Sequence, residues 1–207
     1  MAEAPRELPR EGPRGALHRL FVAVPIPDET TEVVRSLVDG VRLGPVGPGP
    51  RWVRLENLHL TLRFLGETDA ALVPSVAEAV AEAFARSAAF EVVLGEAGMF
   101  PHASRPRTLW LGIEDGHAEL QALVTALVGT LGRLGWPPES RPYRPHMTVA
   151  RTDAPPLSAA IAAGDALARA AAGWRTGFRA ERVGLYRSHL APGGPRYETI
   201  ADVALAG

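Results

Sequence analysis

The chain has 207 residues, of which 46% are hydrophobic, and its formal net charge at pH 7 is −1. This length and apolar content suffice for one well-buried domain or for two small lobes that share a cleft. A near-neutral chain has no strong field with which to coat a long polyanion. Any nucleic-acid partner is therefore expected at an end or over a short stretch.

Two residue types are missing, and each absence excludes a class of chemistry. The sequence has no Cys, which excludes disulfides, thiolate nucleophiles and Cys-based metal sites. All 22 residues of the combined Lys and Arg count are Arg, so lysyl-nucleotide and Schiff-base intermediates cannot form. Any phosphate clamp must be built from Arg, whose planar fork can hold two phosphate oxygens.

The N-terminal segment differs in composition from the rest of the chain. Residues 1–17 are rich in Pro, Glu, Arg and Gly and have no hydrophobic period, which predicts a disordered leader followed by a single domain over 18–207. The sequence shows no apolar signal core and no run of about 18 apolar residues. We therefore expect a cytoplasmic monomer that does not contact a membrane.

The first half of the domain is predicted to alternate between strands and helices. Short apolar runs rich in strand formers favour strands, and apolar residues three and four positions apart favour helices. In chain order the elements are a strand at 20–26, a helix from Asp28 with apolar positions up to 38, a Gly/Pro loop at 44–50, strands at 52–53 and 58–65, and a helix at 70–89.

The second half repeats this order. Its predicted elements are strands at 90–94 and 109–113, a helix from 120 to 134 that ends near Gly135, a strand from 146, a helix at 159–172, and strands at 178–186 and 197–205 joined by the turn 192–195. The order strand, helix, strands thus occurs twice. This repetition indicates an internal duplication with two lobes facing one another.

One short pattern occurs once in each half: His59-Leu60-Thr61-Leu62 and His146-Met147-Thr148-Val149. In a strand, alternate side chains share a face, so each His is expected beside its Thr while the apolar residues anchor in the core. Histidine can donate or accept a proton near neutral pH. Two such strands brought together supply the acid and the base that phosphodiester hydrolysis needs.

Three further kinds of residue are candidates for substrate binding. The hydroxyls of Thr61 and Thr148 can donate to nonbridging phosphate oxygens. Arg63 and Arg151 follow the two motifs, and we expect them to continue the same strand faces and to neutralise phosphate charge. Tyr143 can stack on a base or line the cleft.

Other residues are assigned to structural positions. Phe21 lies within an apolar run and is expected in the core. The remaining histidines are expected on the surface, namely His18, His102, His117 and His189. No pair of His at helical spacing and no acidic cluster predicts a metal site, so no metal or other cofactor is expected.

The sequence around both motifs resembles the two-histidine phosphoesterases, specifically the RNA 2′,3′-cyclic phosphodiesterases formerly described as 2′-5′ RNA ligases. The resemblance covers residues 20–205 and is carried by the segments 20–25, 52–53, 56–66, 141–151, 185–188 and 192–197. A single His-x-Thr-x would mean little. Two copies at this separation, each in a matching context and each followed by Arg, are specific.

The resemblance implies an α+β fold with two pseudo-symmetric lobes of antiparallel sheet and helices around a central cleft. It implies that His59 gives a proton to the leaving O3′ and that His146 takes a proton from water, yielding a 2′-phosphomonoester without metal. The expected partners are RNA 3′ ends or small cyclic-phosphate nucleotides. Two alternatives stay open: a phosphodiesterase for another cyclic or 2′-5′ linked nucleotide, and a noncatalytic RNA-end binding module.

Overall fold

The computed structural model describes residues 15–46, 48–152 and 156–207. Within these residues the chain forms nine strands and four α-helices. The strands are β1 (Leu17–Pro25), β2 (Arg51–Trp52), β3 (His59–Asp69), β4 (Phe90–Phe100), β5 (Thr108–Asp115), β6 (His146–Arg151), β7 (Arg175–Ala180), β8 (Arg182–His189) and β9 (Arg196–Ala204). The helices are α1 (Asp28–Arg42), α2 (Val73–Phe84), α3 (His117–Gly132) and α4 (Leu157–Ala170).

The helices form where apolar residues recur three and four positions apart. In α3 this spacing produces one buried stripe, consisting of Leu120, Leu123, Val124, Leu127 and Leu131. Pro27 and Pro156 directly precede α1 and α4, where a missing backbone N–H is not needed inside the helix. Helix α1 packs against α4, and α2 packs against α3. No helix in the described part of the chain is both long enough and apolar enough to cross a membrane.

The strands form one antiparallel sheet in the order β7-β4-β5-β6-β3-β1-β8-β9, and β2 pairs with β6. Only Glu181 separates β7 from β8 along the chain, yet β7 lies at one edge of the sheet and β8 lies next to the other edge. One residue cannot span a flat sheet of this width. The sheet is therefore strongly curled.

The two motif strands meet at the centre of this sheet. Strands β3 and β6 pair through Leu60 and Met147, which we call the seam pair, and both side chains are fully buried. Leu60 and Met147 are each the second residue of their motif. On the outer sides of this pair of strands, β1 lies beside β3 and β5 lies beside β6. The half β3-β1-β8-β9 thus faces the half β6-β5-β4-β7 across an approximate twofold axis.

The predicted α+β fold with two related halves of antiparallel sheet and helices is confirmed, although several element bounds differ. Strand β4, for example, ends at Phe100 rather than at residue 94. The predicted strand 178–186 is two strands, because the chain leaves the edge beside β4 at Ala180 and enters the other half at Arg182. The halves are therefore not contiguous in sequence. Strand β1 begins at Leu17 rather than Leu20, and residues 1–14 of the predicted leader lie outside the described residues.

The seam pair provides a test of this arrangement. Replacing Leu60 or Met147 by Ala removes a buried side chain and leaves a cavity, so we expect either change to lower the free energy of unfolding by about 2–5 kcal/mol. Urea denaturation measures this loss. Leu43→Ala is the control, since Leu43 is 78% exposed, and is expected to change stability by less than about 0.5 kcal/mol. Equal effects of the core and control variants would contradict the central seam.

Candidate active site

The seam pair fixes the relative positions of the two His/Thr motifs. Because β3 and β6 run antiparallel, the register of the seam pair sets His59 across from Thr148 and Thr61 across from His146. All four side chains are half-buried and lie on the face opposite the seam side chains. The two histidines are therefore a diagonal pair across β3 and β6, an arrangement that in antiparallel sheets places residues about 7–8 Å apart.

Each imidazole is oriented by a backbone carbonyl two residues earlier in the chain. The Nδ1 of His59 donates to the Asn57 carbonyl at 2.7 Å, and the Nδ1 of His146 donates to the Arg144 carbonyl at 2.7 Å. A carbonyl can only accept, so in both rings Nδ1 carries the proton. The Nε2 atom of each neutral ring is then left as the proton acceptor.

Aromatic rings enclose both histidines. The His59 ring lies 5.0 Å from that of Phe21 and 5.4 Å, edge to face, from that of Tyr197. The His146 ring lies 5.0 Å, edge to face, from that of Phe100. Burial lowers the pKa of His59 to about 4 and also lowers the pKa of His146. Both imidazoles are consequently neutral at pH 7 when no substrate is bound.

Arg151 lies where its charge acts on both histidines. Its guanidinium adds to burial in lowering the pKa of His59 and of His146, and its Nη1 donates to the Thr108 hydroxyl at 3.2 Å. Arg151 stands three residues after Thr148, and strict alternation would turn it away from the site. A β-bulge at Val149 inserts one residue into β6 and restores Arg151 to the site face.

The expectation that Arg63 shares the face of His59 and Thr61 is wrong. A β-bulge at Leu62, the position equivalent to Val149, turns Arg63 to the helix side of β3. There Arg63 is 7% exposed, its Nη2 donates to the Pro137 carbonyl, and its Nε lies 3.8 Å from the Glu139 carboxylate. Arg63 therefore anchors the segment after α3 and does not line the cleft.

Two cavities flank the histidine pair. The larger, about 480 Å³, adjoins His59; it is lined by Phe21, Pro25, Ile26, Arg54, Glu56, Asn57, Leu58, His59, Tyr186, Pro195, Arg196, Tyr197 and Thr199. The smaller, about 320 Å³, is lined by Phe100, Trp110, His117, Tyr143, Arg144 and Pro145. His146 is not among these residues, but its ring contacts that of Phe100. We call the two cavities the His59 cavity and the His146 cavity. Only the His59 cavity is lined by its histidine, whereas the His146 cavity lies behind the residues that precede and contact His146.

The structure separates Tyr143 from the His59 cavity. Tyr143 lines the His146 cavity instead, and its hydroxyl is buried without a hydrogen-bond partner among the described residues. Burial raises the pKa of Tyr143, so the phenol stays protonated at neutral pH. His117, assigned to the surface, is exposed and also lines this cavity.

Several site residues were missed by the sequence reasoning. Phe21 is 3% exposed, as a core residue should be, yet its ring forms the base of the site and contacts His59. Tyr197, whose ring also contacts His59, lies in β9 and is distant from His59 in the sequence. Asn57 is buried, its side chain donates to the Pro195 carbonyl at 2.7 Å, and its own carbonyl accepts from His59. The only local signal for Asn57 was its place in the segment that carried the resemblance.

The site consists of two histidines, two threonines and an arginine on neighbouring strands of a curled antiparallel sheet. This arrangement defines a two-histidine phosphoesterase. Across the described ranges, no group of three or more His, Asp or Glu is placed to hold a metal ion. Residues 27–191 match the family model of the 2′-5′ RNA ligase superfamily, and the chain belongs to this superfamily.

Named relatives match most of the chain in sequence, and a solved structure matches its fold. An RNA 2′,3′-cyclic phosphodiesterase of Geobacillus stearothermophilus is 32% identical over 90% of this chain, which spans 57% of that protein's length. One of Thermotoga maritima is 27% identical over 91% of this chain and 96% of its own length. The crystal structure of Escherichia coli LigT complexed with 3′-AMP matches with a TM-score of 0.72 at 28% identity, covering 93% of this chain and 100% of LigT.

The lowered pKa of His59 predicts how stability depends on pH. Since an unfolded histidine titrates near 6.5 and His59 near 4, the unfolded state binds more protons between these values. The free energy of unfolding should therefore be highest above pH 6.5 and fall as the pH drops towards about 4. Urea titrations across this window measure the slope, which His59→Gln should reduce.

The control for this measurement is His102→Gln, which removes an exposed histidine outside the site. We expect it to leave the slope as it is in the unaltered protein. An unchanged slope in His59→Gln would contradict the burial of a neutral imidazole at this position.

Proposed function

We propose that this protein hydrolyses 2′,3′-cyclic phosphates at RNA 3′ ends to 2′-phosphomonoesters, using His59 and His146 as an acid–base pair without a metal ion. The observation that carries the proposal is the shared geometry of the two imidazoles. Both Nδ1 atoms donate to backbone carbonyls, which leaves both Nε2 atoms for the substrate, and the two histidines are diagonal neighbours across β3 and β6. The names of the relatives support the substrate class.

The His59 cavity supports a nucleoside as the group attached to this phosphate. At about 480 Å³ it lies within the range of small-molecule sites. Its aromatic walls include Phe21, Tyr186 and Tyr197, which offer surfaces for a base or a ribose. The solved complex of the related LigT with 3′-AMP, a nucleoside monophosphate, agrees with a site of this kind.

In the proposed reaction, water attacks phosphorus in line with the bond to O3′. His146 Nε2 accepts a proton from the water as its oxygen bonds to phosphorus, and protonated His59 donates a proton to O3′ as the P–O3′ bond breaks. The hydroxyls of Thr61 and Thr148 donate to nonbridging oxygens, and Arg151 neutralises the charge on the phosphate. The product is a 2′-phosphomonoester with a free 3′-hydroxyl.

The pKa values support this division of labour. Burial lowers the pKa of His59 to about 4, so its protonated form is a strong proton donor to an alkoxide. Burial also lowers the pKa of His146, so this imidazole is neutral and its Nε2 can accept a proton from water. A bound phosphate brings negative charge beside His59, and this charge favours the protonated ring that the reaction requires.

Substitution of either histidine tests the mechanism. His59→Ala and His146→Ala should each lower kcat by about 10²- to 10⁴-fold, because each removes one proton transfer. The assay uses an oligonucleotide that ends in a 2′,3′-cyclic phosphate, in the presence of EDTA, and identifies the phosphomonoester formed. His102→Ala is the matched control and should retain full activity.

Each result that differs from these expectations would contradict a different part of the proposal. Recovery of only the 3′-phosphate would overturn the regiochemistry, and activity that is lost in EDTA and restored by a divalent cation would overturn the metal-free mechanism. Full activity in both histidine variants would overturn the acid–base pair. An unaltered protein that binds the RNA end but does not turn it over would favour a noncatalytic binding module.

Arg151 provides an independent prediction about phosphate binding. Arg151→Gln should lower kcat/KM by about 10²-fold, since it removes a charged donor from the developing charge. Arg151→Lys should restore part of this loss, because it returns the charge without the planar fork. The control is Arg133→Gln, an exposed arginine paired with Glu82 on the outer surface. An Arg151→Gln enzyme as active as the control would exclude Arg151 from the phosphate site.

A further inference from the structure

We propose that Phe64 and Arg19 form a subsite for the nucleotide that precedes the terminal one in an RNA strand. Phe64 stacks on the base of that nucleotide, and Arg19 pairs with the phosphate that joins it to the terminal nucleotide. The strand has to be unpaired at this point, because a base inside a duplex is not free to stack on a side chain. This proposal rests on the proposed function, since the terminal nucleoside is taken to occupy the His59 cavity.

The exposure of Phe64 is the first observation. Phe64 is the only exposed aromatic side chain in the part of the chain that the structure describes, and 55% of its surface is accessible to water. Its neighbours Arg63 and Leu65 on β3 are buried, so the strand itself is well packed at this point. Single apolar residues are common on protein surfaces. The place of Phe64 in the fold therefore decides what its exposure means.

Phe64 lies on the same face of the sheet as the two motif histidines. It stands directly across from Phe21 in the register of β1 and β3, and residues paired in this way share a face. The Phe21 ring lies 5.0 Å from that of His59 and 6.2 Å from that of Phe64. Phe64 does not line the His59 cavity. The aromatic surface of that cavity thus continues past Phe21 to a ring outside the cavity.

The twofold relation between the halves gives Phe64 a counterpart. Phe64 is the fifth residue after His59, Arg151 is the fifth residue after His146, and each follows the bulge of its strand. The same position therefore presents a cation in one half and an exposed ring in the other. An arginine suits a phosphate and an aromatic ring suits a base. The two equivalent positions match the two chemically different parts of a nucleotide strand.

Arg19 supplies a charge for the phosphate between the two nucleotides. It is exposed and lies two residues before Phe21 on β1, so both side chains share one face. Burial raises the pKa of Tyr197, and the charges of Arg151 and Arg19 oppose this rise, as guanidiniums near that ring do. Glu67 lies across from Arg19 in the register, yet within the described ranges no carboxylate forms an ion pair with Arg19. Its charge is available to a phosphate beside the His59 cavity.

The first test compares substrates of different length in the unaltered protein. The substrates are a nucleoside 2′,3′-cyclic monophosphate and oligonucleotides of two or three nucleotides that end in a 2′,3′-cyclic phosphate. We expect kcat/KM to rise about tenfold from the mononucleotide to the dinucleotide, chiefly through a lower KM, because one base and one phosphate gain partners. The third nucleotide should add little. Equal kcat/KM for mononucleotide and dinucleotide would overturn the subsite and leave the hydrolase intact.

Substitutions of Phe64 locate this gain. Phe64→Leu should lower the dinucleotide-to-mononucleotide ratio of kcat/KM about fivefold, and Phe64→Trp should restore it, because tryptophan offers another stacking face. The control is Leu72→Ala, which alters a 44% exposed apolar residue directly before α2 and should keep the ratio of the unaltered protein. An equal loss on both substrates in Phe64→Leu would assign Phe64 to the terminal nucleoside and overturn the proposal.

Arg19→Gln tests the phosphate contact separately. It should lower the same ratio, and it should reduce the slope of log kcat/KM for the dinucleotide against log salt concentration by about 0.7, the effect of one lost contact to a single strand. Arg86→Gln, which changes an exposed arginine beyond the end of α2, should alter neither quantity. An Arg19→Gln protein with the ratio and slope of this control would overturn the path of the strand across Arg19.

A comparison of duplex ends tests whether the base on Phe64 is unpaired. An RNA duplex whose cyclic phosphate follows two unpaired nucleotides should react with a higher kcat/KM than one with a single unpaired nucleotide, and Phe64→Leu should abolish this difference. Equal kcat/KM for the two ends in the unaltered protein would overturn stacking on Phe64. No turnover of any substrate, the mononucleotide included, would overturn the proposed function and the subsite with it.

Discussion

The antiparallel contact between β3 and β6 at the seam pair is the constraint on which the rest of the molecule depends. Because Leu60 and Met147 are equivalent residues of two copies of one motif, their pairing creates the twofold relation between the halves. Both side chains are fully buried, so a shift by one residue would expose them and bury the histidines instead. Core packing thereby specifies where two chemically active faces meet.

The alternation of polar and apolar residues in the two motifs was enough to predict which side chains are buried in the core and which face the site. The prediction failed where β3 and β6 depart from strict alternation. Arg63 and Arg151 both follow a motif, yet bulges at Leu62 and Val149 invert their orientation. The bulges occur at equivalent positions, so the departure belongs to the duplicated unit. Nothing in the amino-acid pattern marks a bulged residue, since Leu and Val also fit a regular strand.

Other parts of the site depend on contacts between residues distant in sequence. Tyr197 and Phe21 meet at His59 because β9, β8 and β1 are neighbours in the curled sheet, and no local periodicity reports that order. The break at Glu181 was missed for the same reason, since the chain crosses between halves without a Gly or Pro. The enclosure that these rings provide lowers the pKa of His59, which links the packing of remote strands to proton transfer.

The most direct test of the account is a crystal structure of the protein with orthovanadate, a five-coordinate mimic of phosphorus under in-line attack, bound together with a nucleoside. The account predicts one vanadate between the motif strands, with the Nε2 atoms of His59 and His146 each within hydrogen-bond distance of opposite apical oxygens and both Nδ1 atoms still donating to the carbonyls of Asn57 and Arg144. A vanadate bound by one histidine alone, or by Arg63, would contradict it.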